Sequence, residues 1–160
     1  MKREVVSIPG APKPVGPFSP AIKAAGFVFV SGQLPLAGGS MPEGIVAQTR
    51  QSLENVKAVL EAAGTGLGNV VKCTVFMADM KEWPDFNAIY VTYFDRDRLP
   101  ARSAFGANGL ALGARVERVR RISQNGIRSQ GGLGLFSEIR PRVRCDALAQ
   151  SPRAAQSRNR

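Results

Sequence analysis

The chain has 160 residues, 44% of them hydrophobic and 21% charged, which suits one domain with one modest core. Histidine is absent, which excludes His-based triads, Cys–His nucleophiles, HExxH zinc sites and the zinc-deaminase signature. The formal charge of +10 is unevenly placed: residues 1–117 hold twelve Lys+Arg against ten Asp+Glu, and residues 118–160 hold ten against two.

Met1-Lys-Arg-Glu4 has no apolar stretch behind it, and no segment approaches the roughly 18–20 unbroken apolar residues of a membrane span. The expected compartment is the cytoplasm, with no membrane partner. Val5, Val6 and Ile8 begin a short strand that Pro9-Gly10 stops. Residues 9–20 carry five prolines and two glycines and read as a loop. Residues 27–31 (FVFVS) read as a short buried strand, and 33–42 as a Gly/Pro loop.

Residues 44–63 have helical spacing, with Val46, Leu53, Val56, Leu60 and Ala63 on one stripe. Arg50, Glu54, Lys57 and Glu61 lie off it, and Gly64 suits the position just past the helix end. Residues 70–79 (VVKCTVFMAD) are β-branched and aromatic and predict a long strand. A second helix is expected over 82–94, with Pro84 in its first turn and Trp83, Phe86, Ile89, Tyr90 and Phe94 facing inward. Strands follow over 101–106 and 114–117.

The predicted order is β, β, α, β, α, β, β, an α+β domain with two helices on one face of a mixed sheet. The second sheet face then needs cover, which another subunit can supply. Residues 118–160 are a different material: ten arginines, no lysine, and no sustained apolar period. Arginine without lysine is what a GC-rich gene gives when read in a wrong frame. The alternative is an RNA-binding arm, which Phe136, the one aromatic there, suits poorly. The two cysteines, Cys73 and Cys145, have no paired spacing and read as reduced structural thiols, although a disulfide is possible on paper.

Arg102, in Leu99-Pro-Ala-Arg-Ser103, starts a strand, where a guanidinium can clamp a carboxylate with two parallel hydrogen bonds. A surface arginine is the alternative. Glu117 lies on the next strand and can orient a water or move a proton there, or simply pair with Arg102 or Arg115. Ser31, Asn87 and Phe18 can line a pocket. Equally, they can satisfy a turn, solvate a helix and anchor a loop. No carboxylates cluster as a metal site would require.

Six segments occur in a telling order: Gly16-Pro-Phe-Ser-Pro-Ala21, Phe29-Val-Ser-Gly-Gln33, the helix Gln48 to Gly64, Asn69-Val-Val-Lys-Cys-Thr-Val75, Phe86-Asn-Ala-Ile-Tyr90 and Pro100-Ala-Arg-Ser103. Together they resemble the YjgF/RidA family of reactive intermediate deaminases over about residues 4–117. The resemblance implies a chorismate-mutase-like α+β fold in a homotrimer with sites between subunits. It also implies hydrolysis of 2-imino and 2-enamino acids to 2-oxo acids and ammonia, without metal or organic cofactor.

It assigns the substrate carboxylate to Arg102, water or proton handling to Glu117, and pocket contacts to Ser31 and Asn87. Phe18 stands where many members have tyrosine, and Ala104 where cysteine is common. The family continues past the glutamate as an alternating apolar strand, whereas here Arg118-Val-Arg-Arg-Ile-Ser123 follows. Unpaired arginines in a buried strand carry a large desolvation cost, so a frayed or missing last strand and a weakened trimer are expected. Two other functions fit the same chain. A ribonuclease or translation inhibitor needs a basic groove, available mainly through the tail, and a non-catalytic small-ligand-binding or chaperone-like protein keeps Arg102 without turnover.

Overall fold

The structure is a computed structural model that describes residues 2–10, 14 and 16–124, with the backbone alone over 118–124. Six strands form one sheet: β1 (Arg3–Val6), β2 (Ala21–Ala24), β3 (Phe27–Val30), β4 (Val70–Met77), β5 (Ala101–Gly106) and β6 (Val116–Gln124). Their order is β1-β2-β3-β6-β4-β5. All neighbours are antiparallel except β4 and β5, which run parallel and are joined through the second helix. The helices are α1 (Gly44–Ala62) and α2 (Trp83–Tyr90), the latter extended by a 3-10 turn over Val91–Tyr93. The expected α+β class, with two helices and a mixed sheet, is what the chain adopts.

Strand β2 was not anticipated: the proline-rich loop was expected over 9–20 and the next strand at 27–31, with no element assigned between them. Ala25 (φ 50°) and Gly26 (φ 77°) make the two-residue turn that joins it to β3, with both centres left-handed as a tight hairpin requires. An alanine at the first centre hides the usual Asn-Gly signal.

Helix α1 ends as its sequence predicts. Gly64 (φ 78°) donates to the Glu61 carbonyl and Thr65 to that of Leu60, the paired bonds of a glycine-capped helix end. Its buried stripe differs from the expected one. Val46 is exposed, and Ile45, Gln48, Thr49 and Ser52 turn inward with Leu53, Val56 and Leu60. Gln48 and Ser52, with the half-buried Asn55, serve the loop before the helix, whose backbone has few ladder partners. Ser52 Oγ donates to the Gln33 carbonyl at 2.9 Å, and Asn55 Nδ2 donates to Leu34 and Leu36 at 2.8 and 2.9 Å. Gln48 accepts from Arg115 N at 2.8 Å and donates to Pro42 O at 2.9 Å, tying the helix start to the approach of β6.

One core lies between the helices and one sheet face. Val28, Val30, Cys73, Val75, Met77 and Val116 from the sheet meet Val56, Val59, Leu60, Phe86 and Tyr90. Among the described residues the other face has no cover. Val5, Ile22 and Phe29 form one row across it, and Phe76 and Phe105 pair further along with ring centroids 5.8 Å apart. Val5, Phe29 and Phe105 are 41–54% exposed, an apolar sheet surface of the kind that marks a protein contact.

The last strand corrects the sequence reading. The backbone pairs with β4 from Val116 to Ser123 and with β3 from Arg121 to Gln124, so β6 occupies the middle of the sheet and does not end at Glu117. Ladder bonds come from main-chain groups, which three arginines leave intact. The rest of the arginine-rich tail lies outside the described residues.

Helix α2 buries Phe86, Ile89 and Tyr90, whereas α1 supplies most of the aliphatic packing. Leu53 is fully buried there. Leu53→Ala is expected to cost about 2–5 kcal/mol of unfolding free energy. Urea denaturation with unchanged slope checks this, and a shift under about 1 kcal/mol would contradict the packing described.

Candidate functional site

Arg102 is the second residue of β5. It pairs in register with Cys73, and Ala104 with Val75, so both point to the helix-covered face. The parallel β4–α2–β5 unit places α2 directly over this edge strand. Arg102 Nη1 donates to Asn87 Oδ1 at 2.8 Å. The guanidinium carbon lies 4.5 Å from the centroids of both the Trp83 and Tyr90 rings. Trp83, Asn87 and Tyr90 recur at helical spacing, so one stripe of α2 meets the arginine. The sequence assigned Trp83 and Tyr90 to the core only; their contact with Arg102 depends on the crossover, which no local pattern reveals.

The Arg102 charge is half-buried. Among the described residues the ion pairs are Lys23–Glu4 and Arg115–Glu82, and neither involves Arg102. An arginine held by an amide and two rings keeps its full charge available to an anion.

Glu117 pairs in register with Phe76, and Val116 with Met77. Val116 and Met77 are fully buried under the helices, so Glu117 faces the opposite, uncovered side. Arg115 pairs with Glu82, leaving the anticipated Glu117–Arg115 pair unformed. Burial pushes the Glu117 carboxyl above its ordinary pKa. The expected approach of Glu117 to Arg102 within one chain does not occur: β4 stands between their strands and they occupy opposite faces.

Ser31 follows β3. Its hydroxyl donates to the Ser19 carbonyl at 2.6 Å and its N–H to that of Pro20 at 2.9 Å, so it secures the proline-rich loop. Phe18 sits in that loop, more than half exposed, with its ring folded over Gly16, where a Cβ would lie 2.7 Å from it. Ala104, half-buried, packs on the core edge two residues beyond Arg102.

The anticipated residues thus form three groups in one subunit: Arg102, Asn87 and Ala104 on the helix side of β5, Glu117 on the open face, and Phe18 with Ser31 near β3. Strands lie about 4.8 Å apart, so β3 and β5 are about 14 Å apart across the sheet, further than a small substrate reaches. Two surface depressions lie elsewhere, one near Asn69 and Arg98 and one near Pro42 and Arg115, and touch none of these residues. Among the described residues no three of Cys, Asp and Glu converge as metal ligands, and no helix is long and apolar enough to cross a membrane.

Comparison with known proteins matches residues 9–120 to the family described as endoribonuclease L-PSP. A RutC family protein of Pyrococcus horikoshii is 43% identical over 72% of this chain and 93% of its own length. A mouse protein named 2-iminobutanoate/2-iminopropanoate deaminase is 42% identical over 72% and 87%. Among solved structures, E. coli TdcF with bound serine superposes with a TM-score of 0.70 at 30% identity, covering 76% of this chain and 98% of its own.

The raised Glu117 pKa sets a sign. The folded chain keeps this proton to higher pH than the unfolded chain, so the stability it contributes is full at acid pH and is lost as pH rises through the folded pKa. Glu117→Gln removes that loss. The variant should therefore gain on the parent chain at about pH 7 and match it near pH 4, read from urea melts at both. An equal difference at the two pH values would contradict the burial effect.

Proposed function

The chain belongs to the endoribonuclease L-PSP family, which is the YjgF/RidA family, and from that premise we propose that it hydrolyses small 2-imino and 2-enamino acids to 2-oxo acids and ammonia. The observation that carries this reading is Arg102: a half-buried guanidinium held by Asn87, Trp83 and Tyr90 without a carboxylate partner among the described residues. A deaminase relative at 42% identity and a structural neighbour bound to serine, itself a carboxylate, support it.

In this scheme the substrate carboxylate lies on the free edge of Arg102. A water oriented by Glu117 and by the main-chain carbonyl near Ala104 adds to the electrophilic imine carbon. The tetrahedral adduct then collapses, its C–N bond breaks, and Glu117 relays the proton that leaves with ammonia. The reaction consumes one water and needs no electron transfer. A carboxyl raised by burial holds its proton more readily than an ordinary glutamate, which suits a proton relay. Positioning supplies most of the rate, because the imine is already activated.

The working form is a homotrimer in which the open sheet faces meet and the sites lie between subunits. Its support is the apolar surface left open among the described residues, the row Val5, Ile22 and Phe29 and the pair Phe76 and Phe105. Its place of work is the cytoplasm, where imines released by other enzymes would be intercepted.

The family description names an endoribonuclease, which gives a second reading. Residues 1–117 are close to neutral, with twelve basic and ten acidic side chains, which gives phosphate little to bind. Hydrolysis of 2-iminobutanoate generated in situ tests the main reading. Arg102→Ala should lose about 100-fold or more in kcat/KM. Retention within about threefold would overturn the role of Arg102, and RNA cleavage without imine turnover would favour the second reading.

A further inference from the structure

We propose that Trp83 and Tyr90 are positioning residues that together hold Arg102 and so set the direction from which a carboxylate is accepted. The inference rests on the reading of Arg102 as the substrate anchor. An arginine meant for a substrate anion has a structural difficulty. A half-buried cation needs stabilising, yet a carboxylate of the chain itself would occupy the fork and compete with the ligand. Aromatic faces avoid this. Their quadrupoles attract the cation without bringing a net negative charge.

The geometry matches that need. Both ring centroids lie 4.5 Å from the guanidinium carbon, and Asn87 Oδ1 takes one N–H of Nη1 at 2.8 Å. The rings hold the guanidinium without taking its hydrogen-bond donors, so the N–H groups not used by Asn87 stay available for two parallel hydrogen bonds to a carboxylate. The clamp is itself braced. Trp83 and Phe86 have centroids 5.4 Å apart, Phe86 and Tyr90 5.7 Å, and Tyr90 and Phe94 4.8 Å, a ladder of rings running into the core. Phe86 is fully buried, so the ladder ties the clamp to the fold. Trp83 is its half-exposed member and the one that can be changed with least damage to packing.

Two readouts on the full-length protein test this. The first is the Arg102 Nε–H signal in nitrogen-edited NMR, identified by its loss in Arg102→Lys. Ring currents should displace it from the other arginines. Trp83→Leu should return it most of the way, and Trp83→Phe should keep it displaced. An Arg102 signal that already lies among the others in the parent chain overturns the clamp, whether or not the protein turns over imines.

The second readout is kinetic. Trp83→Leu should raise KM about tenfold with kcat changed much less, and Trp83→Phe should recover KM to within about threefold. A merely structural role would lower the active fraction, hence kcat, and leave KM in place, and that result overturns the proposal. If the parent chain hydrolyses no imine, the functional reading fails and the NMR readout alone decides the clamp.

Discussion

A β-strand sends successive side chains to opposite faces, and a single sheet has no third side. This constraint governs the chain. Val116 faces the helices and is lost from solvent, so Glu117 must face away from them. Arg102 pairs with Cys73 in the covered layer, so it must lie on the helix side. No rotamer change brings the two together around the intervening strand β4. Either they serve different purposes or they meet through a second copy of the chain. The uncovered apolar rows on the Glu117 side make the second solution physically economical, because the surface that needs burial carries the acid that needs a partner.

The helix side contributes a different element. Helix α2 crosses between two parallel strands, the usual way such strands are joined. That crossover lays Trp83, Asn87 and Tyr90 over the edge strand. Arg102 is thereby fixed by groups with no net charge, and its affinity for anions is retained. The buried polar side chains of α1 play the complementary part. Gln48, Ser52 and Asn55 satisfy main-chain groups of the loop between β3 and α1, and so join irregular backbone to a rigid element.

Much of this was legible in the residues and some was not, for identifiable reasons. Both helices followed from apolar spacing, and Gly64 marked the end of the first. Val46 was misplaced because periodicity counts apolar residues, and here loop carbonyls recruited Gln48 and Ser52 to the inner face. Strand β2 was hidden by Ala25, an uncommon residue at a left-handed turn centre. The fate of β6 was misjudged because arginines argue against burial while the ladder depends only on the main chain. Arg102 and Asn87 were named from sequence and meet in the structure. Trp83 and Tyr90 read only as core, since a contact across a crossover leaves no spacing signal. Glu117 was assigned to the right strand, but its face follows from the register with β4, which emerges only when the sheet is assembled.

The claim on which the account turns is that Arg102 and Glu117 act together across two subunits. Subunit mixing tests it most directly. Arg102→Ala and Glu117→Gln chains, each inactive alone toward 2-iminobutanoate, would be unfolded together, refolded, and checked for hybrid oligomers by native mass spectrometry. Hybrids are expected to regain activity, because some of their sites combine an intact Arg102 from one chain with an intact Glu117 from its neighbour. Hybrids that form and remain inactive would contradict it.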